Sequence, residues 1–200
     1  MNTSQWTKVA ELTELKENKP KAVTVEKNVI MLIKIDDQIR AFSNNCPHYG
    51  APLHKGYVSH HKVTCPWHNA RFDLKTGNMI TSPALDDLPE YEVNVKENEI
   101  FIKNEPIEKE IQKLDIKDSP TFLIVGGGAA GNAAAEMLRK LAFDGRIVML
   151  SADKDRPYDR PILSKAFLSG EAKKDWAPLR SADFYEEHGI ELKTNARVND

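Results

Sequence analysis

A chain of 200 residues with 40% hydrophobic and 29% charged residues is long enough for one large or two small folded domains, and its composition excludes a disordered polymer. A formal net charge of −2 leaves no overall basic field, which excludes the usual electrostatic footprint of a nucleic-acid binder and gives no pull toward acidic membrane surfaces. No stretch reaches the roughly 20 apolar residues that cross a bilayer.

The opening segment, MNTSQWTKVAELTELKENKP, has neither the apolar core of a signal peptide nor the Arg-rich, acid-poor bias of a transit peptide, so a cytoplasmic protein is expected. From Trp6 to about Lys103 the pattern is one of short strands. KAVTVEKNVIMLIKIDDQIRAFS holds two alternating runs around Lys27-Asn28, and YEVNVKENEIFIKN reads as a hairpin turning at Glu97-Asn98. A small antiparallel all-β domain over residues 5–104 follows from this. Residues 105–120, charged and punctuated by Pro106 and Pro120, read as a linker.

Within the first domain, Cys46-Pro47-His48 and Cys65-Pro66-Trp67-His68 form a C-x-H and C-x-x-H pair with 16 residues between His48 and Cys65. These are the chain's two cysteines, and both sit in segments that look like metal-ligand loops rather than disulfide anchors. Two thiolates and two imidazoles suit a two-iron, two-sulfur cluster in which both cysteines bind one iron and both histidines the other. Neutral imidazole in place of anionic thiolate raises the reduction potential above that of an all-cysteine cluster. The short spacings let loop amides point at the sulfurs, and the proline after each cysteine stiffens its loop. The alternative is a structural zinc site, since Cys₂His₂ is also a zinc set, although zinc fingers usually pair cysteine with cysteine and histidine with histidine. His54, His60 and His61 lie nearby but outside the motif and read as solvated loop residues, while Trp67, between two candidate ligands, reads as a packing residue, with shielding the cluster or guiding a partner as the alternative.

After Pro120 the grammar changes to strand, helix, strand: TFLIVG, a Gly-rich turn, an Ala-rich helix to about Phe143, then RIVMLS. SADFYEEH at 181–188 reads as a capped helix stopping at Gly189, followed by the strand IELKT. Residues 121–200 are therefore expected to begin an α/β Rossmann-type domain. Only about 80 residues follow the linker, too few for a complete flavoprotein, which implies a piece of a longer chain or a reduced second domain. Gly126, Gly128 and Gly131 match G-x-G-x-x-G between a strand and a helix. The first permits a tight turn, the second lets backbone approach a pyrophosphate, and the third lets helix and strand pack closely. The acidic residue expected some 20 positions on, to hold the adenosine ribose, is Ser151 at the strand end, with Asp153 the candidate two residues later.

CPHYGAPL at 46–53 and CPWHNARFDLKTG at 65–77 resemble the two boxes of a Rieske ferredoxin. Asn69 stands where that family commonly has Gly, and no spare cysteine is present to form the disulfide of the high-potential members, so the chain resembles the lower-potential branch. RPYDRPILSK at 156–165 is similar to the segment after the second strand in ferredoxin-reductase-type flavoproteins, whose Arg and Lys contact FAD; the resemblance implies Arg160 and Lys165 as FAD contacts. Together the halves resemble the apoptosis-inducing-factor-like Rieske flavoproteins. That implies electron transfer from NAD(P)H to FAD to a Rieske 2Fe-2S cluster and on to an unidentified acceptor, protein or small molecule. The alternative is a stand-alone Rieske-type carrier with a non-functional C-terminal remnant. A Rieske oxygenase subunit would need a mononuclear iron held by two histidines and a carboxylate, and His188 is the only histidine beyond the cluster segment.

Overall fold

The structure, a computed structural model, describes residues 5–108, 115–118 and 120–199. The chain divides into two compact units, Met1–Glu110 and Ile111–Asp200.

The first unit is all-β and antiparallel. Its strands are β1 (Trp6–Glu11), β2 (Lys21–Val25), β3 (Asn28–Ile35), β4 (Gln38–Ser43), β5 (Tyr57–Ser59), β6 (Lys62–Thr64), β7 (Arg71–Asp73), β8 (Met79–Thr81), β9 (Glu90–Lys96) and β10 (Glu99–Pro106). They form a six-stranded sheet in the order β1-β10-β9-β4-β3-β2 and a four-stranded sheet in the order β5-β6-β7-β8.

Strand β3 explains the layering. Its apolar run is buried on both faces: Ile30 and Leu32 pack with Val23, Val25, Ile100 and Ile102, while Met31, Ile33 and Ile35 pack with Phe42, Phe72, Leu74 and both cysteines. Each of these large side chains contributes about 1.5–3 kcal/mol by leaving water. The run expected to follow Lys27-Asn28 as a single alternating strand is instead two, β3 and β4, folded back at Asp36-Asp37. Both aspartates are left-handed (φ 48 and 61), the conformation of a tight two-residue hairpin turn. The β9–β10 hairpin turns at Glu97-Asn98 as expected.

In the second unit β11 (Thr121–Val125), α1 (Ala129–Lys140), β12 (Arg146–Leu150), the single turn α2 (Arg160–Ile162), α3 (Ala182–Glu187) and β13 (Ile190–Lys193) follow in order. The three strands are parallel, β11-β12-β13, which requires the crossover helices. Helix α1 packs Ala135 and Leu138 against Ile124, Ile147 and Met149, and Tyr185 of α3 joins the same core. The helix ends at Lys140 rather than near Phe143, because Ala142 turns left-handed (φ 59) and donates its N–H to the Arg139 carbonyl. Helix α3 starts where expected: the Ser181 hydroxyl accepts the Phe184 N–H at 3.2 Å, and Gly189 (φ 60) ends it.

Of the expected linker, residues 109–114 and 119 lie outside the described residues. Its C-terminal part is packed on the second unit. Lys117 N–H donates to the Asp144 carbonyl at 2.7 Å, and its ammonium pairs with the Asp144 carboxylate. Among the described residues no helix is long and apolar enough to cross a membrane.

Candidate metal centre and nucleotide cradle

The motif residues of the first unit lie on two loops. Cys46 and His48 follow β4 and return into a 3₁₀ turn, Leu53–Lys55; Cys65 and His68 join β6 to β7. Each loop is closed in the same way: Cys46 N–H donates to Ala51 O at 2.9 Å and Gly50 N–H to Cys46 O at 2.8 Å, while Cys65 N–H donates to Ala70 O at 2.8 Å and Asn69 N–H to Cys65 O at 3.2 Å. Asn69, where a glycine was the expected residue, is left-handed at φ 63 and takes that conformation without one.

The four side chains meet as two pairs. The cysteine sulfurs are neighbours within hydrogen-bond reach, both unbridged and both in the apolar core, 2% and 1% exposed. The Nδ1 atoms of His48 and His68 face each other at 3.1 Å, their rings nearly perpendicular. Two nitrogens bound about 2.1 Å from one metal at a near-tetrahedral angle lie roughly 3.1–3.4 Å apart, so the imidazole pair is already spaced for a shared iron. Among the described residues no three His, Cys, Asp or Glu side chains come together around one ion. Two adjacent thiols and a facing pair of imidazoles are the donor types that an iron–sulfur diamond would take, two to each iron.

Burial pushes the Cys46 thiol up to about 11, and the adjacent Cys65 adds to the rise; the N–H groups of His48 and Tyr49, aimed at its sulfur, pull the other way. A thiol that ionises near 9.0 when unfolded and near 11 when folded stabilises the cluster-free chain fully below pH 9. On the order of 2–3 kcal/mol should therefore be lost as pH rises from about 9 to 11. Urea midpoints across that range, compared with Cys46→Ala, which lacks this contribution, check it.

Two readings of the surroundings are corrected, those of His54 and Trp67, while His60 and His61 lie in a solvent-facing turn as expected. His54 is not a solvated loop residue: it is half-buried, and its ring Nδ1 and backbone N–H both bond the side-chain oxygen of buried Asn44, at 2.8 and 3.0 Å. His60 and His61 form the left-handed β5–β6 turn, where His60 Nδ1 bonds the Ser59 hydroxyl at 2.7 Å and His61 Nε2 the Asp36 carboxylate at 3.1 Å. Trp67 does not pack inside; it is 56% exposed, and with Tyr49 it rims the two histidines. Burial of Asn44, two residues before the first ligand, had no sequence signal except its own polarity.

In the second unit the glycines make a cradle at the start of α1. Gly126 is at φ 119. A Cβ on Gly131 would lie 2.0 Å from Gly126 O, and one on Gly128 would meet only the Arg160 guanidinium, at 3.8 Å. The helix N-terminus, an open approach at Gly128 and a cation over it suit an anion such as a pyrophosphate. Asp153 lies at the same end of the sheet. Its carboxyl is held below the usual range by the Asp155 N–H, then by the Tyr158 hydroxyl, with the Arg160 charge assisting. Lys165 is exposed on the irregular turn Leu163–Phe167. A cavity of about 1120 Å³ in this unit, beside α3 and β13, is lined by none of the three motif glycines.

Gly127, an unspecified position of the motif, proves as constrained as its neighbours: a Cβ there would sit 2.4 Å from the Cβ and Oγ of Ser151. Gly127→Ala should cost about 1–3 kcal/mol of second-unit stability, and Ser151→Gly, which removes the obstructing atoms, should restore most of it in thermal unfolding.

A paired Cys/His centre on an antiparallel β unit, followed by a parallel βαβ unit with an anion cradle, defines a two-unit redox protein. Residues 5–92 match the Rieske [2Fe-2S] domain and residues 120–200 the pyridine nucleotide-disulphide oxidoreductase domain. The chain is 33% identical over 202 residues to human apoptosis-inducing factor 3, covering 95% of this chain and 33% of that protein. Its second half is 47% identical over 76 residues to the 5,5'-dehydrodivanillate O-demethylase ferredoxin reductase subunit of Sphingobium sp., covering 38% of this chain and 18% of that one. Its first half is similar to the ferredoxin in a solved complex of reduced oxygenase and oxidized ferredoxin in carbazole 1,9a-dioxygenase: 27% identity, TM-score 0.50, 54% of this chain and 100% of that one. The chain thus joins a Rieske [2Fe-2S] domain to the start of a pyridine nucleotide-disulphide oxidoreductase domain, is similar over both halves to the apoptosis-inducing factor 3 proteins, and spans about a third of their length.

Proposed function

We propose that the chain is the cluster-bearing part of an NAD(P)H-linked, FAD-dependent oxidoreductase, with Cys46 and Cys65 holding one iron of a Rieske 2Fe-2S cluster and His48 and His68 the other. The observation that carries this reading is the 3.1 Å approach of two histidine Nδ1 atoms on the same two loops that hold two adjacent, buried, unbridged cysteines. When bound, FAD supplies hydride chemistry with nicotinamide and the cluster supplies one-electron transfer. The residues do the rest. The buried cysteine side excludes water, and the His48 and Tyr49 amides offset negative charge at Cys46 Sγ. His68, exposed, and His48, half-buried, make the shorter way out for an electron. Gly126, Gly128 and Gly131 open the α1 N-terminus to the FAD pyrophosphate, Asp153 accepts from its ribose, and Arg160 and Lys165 supply positive charge beside the flavin nucleotide. The donor is a nicotinamide nucleotide and the acceptor a protein or small molecule. A cytoplasmic setting suits two unpaired thiols.

The test is spectroscopic. Purified chain should be coloured, bleach with dithionite and give an EPR signal when reduced; a colourless zinc protein would end the reading. Titration with FAD separates the rival, a carrier with an idle second half. The relatives' greater length supports weak FAD binding by these 200 residues and firm binding by a longer chain, and no binding by the longer chain would favour the carrier.

A further inference from the structure

We propose that Asn44 and His54 are positioning residues for the cluster, closing the neck of the first ligand loop and so fixing Cys46 and His48 against Cys65 and His68; this rests on the cluster reading above.

The two ligand loops are anchored differently. The second hangs from a strand ladder, with Thr64 opposite Arg71 and Val63 opposite Phe72, so its neck is closed by paired backbone on both sides. The first leaves β4 after Ser43 and returns into the 3₁₀ turn Leu53–Lys55, while β4 itself pairs with β3 and β9. Its two limbs are joined by one isolated antiparallel bridge, Asn45 opposite Pro52, and by the Asn44 side chain. The backbone carbonyl of Asn44 accepts the Leu53 N–H at 2.7 Å, and its N–H donates to Val29 O at 3.0 Å, tying the neck to the start of β3. Its side chain, in a residue only 3% exposed, reaches across to His54. There Oδ1 takes the His54 backbone N–H at 3.0 Å and lies 2.8 Å from His54 Nδ1. A backbone N–H can only donate, which fixes the receiving atom as the carboxamide oxygen. That in turn fixes Nδ1 as the ring nitrogen that carries the hydrogen. The clasp is thus a two-bond bracket, largely out of water, two residues before one ligand and six after the other.

Partners behind metal ligands typically change metal affinity about 10- to 100-fold when lost. With the clasp gone, the neck keeps its backbone bonds, Leu53 N–H to Asn44 O and Asn44 N–H to Val29 O, but loses the side-chain bracket that stiffens it, and the angle of the first loop to the second is held less firmly. The cluster then sits in a looser and differently oriented ligand frame.

The experiment uses the whole 200-residue chain loaded with its cluster, with far-UV circular dichroism verifying the fold of each variant. His54→Leu keeps bulk and removes the ring donor, Asn44→Ala removes the acceptor with the ring in place, and His54→Asn puts an amide N–H close to the position of Nδ1. His54→Leu and Asn44→Ala should lose visible absorption to a chelator roughly tenfold faster than wild type, with shifted reduced-state EPR g-values, while His54→Asn stays within about twofold. The inference is overturned if either of the first two variants matches wild type in both readouts. It is equally overturned if His54→Asn is impaired as much as His54→Leu, since bulk rather than the bond would then matter. A wild-type chain without any cluster signal would strike down the cluster reading itself and the clasp with it.

Discussion

Cys65→Ala should leave the chain folded and colourless. Cys65 is 1% exposed with its sulfur beside that of Cys46; without it one iron loses half its protein donors. Cluster occupancy should fall about 100-fold or more, read as iron content and visible absorption. The fold should survive, because the surrounding core of Met31, Phe42, Leu53, Phe72 and Leu74 remains. Trading a buried thiol for a methyl costs only about 1 kcal/mol. His68→Cys is the informative counterpart. It keeps four donors and exchanges a neutral imidazole for an anionic thiolate, so a variant that still assembles its cluster should show a reduction potential lower by roughly 200 mV or more. An unchanged potential would mean that His68 does not touch the reducible iron.

Much of this architecture is legible in residue patterns, and the misses have physical causes. Alternation reveals a half-buried strand, so the β9–β10 hairpin, with one outward face, is plain in YEVNVKENEIFIKN. Strand β3 defeats the same rule because Ile30, Met31, Leu32 and Ile33 are all fully buried, on opposite faces. With no alternation to end, and with two aspartates rather than Asn-Gly taking the left-handed turn, the β3–β4 boundary gives no signal. The early end of α1 is hidden for a similar reason, since Ala142 adopts a conformation usually left to glycine.

At the candidate centre, spacing shows which residues are donors but not how they group. The two-and-two division depends on loops whose approach is set by the packing of the small sheet on β3, a contact between residues far apart in sequence. His54 shows the limit most clearly. Nothing in CPHYGAPLHKG distinguishes a solvated histidine from a clasp; only the burial of Asn44 does. Gly127 escapes motif logic, which assigns roles to three glycines, because the fourth is constrained by Ser151, the residue just past the end of β12.

Arg139→Leu should unfold the second unit far more easily than the first, by about 3–5 kcal/mol. Arg139 lies on the last turn of α1, 8% exposed. Its guanidinium donates to four backbone carbonyls: Phe143 at 2.6 Å, Gly145 at 2.8 Å, His188 at 2.7 Å and Gly189 at 2.6 Å. One side chain therefore joins the end of α1, the turn into β12 and the end of α3 just before β13. Desolvation lowers its pKa, with only a minor opposing pull from Asp144, so the carbonyl dipoles, rather than a carboxylate, keep the charge in place. Leucine fills part of the space but leaves those carbonyls without their donor in a site that water reaches poorly. Lysine offers a single ammonium in place of the planar fork and should recover less than half of the loss. Trp176 belongs to the second unit and Trp6 and Trp67 to the first. In a Trp6→Phe, Trp67→Phe background, urea titration followed by fluorescence then reports the second unit alone. An Arg139→Leu midpoint close to the parent's would mean that these carbonyls find water once the guanidinium is gone, and that α1, β12 and α3 are held together by the Ala135, Ile147, Met149 and Tyr185 core without it.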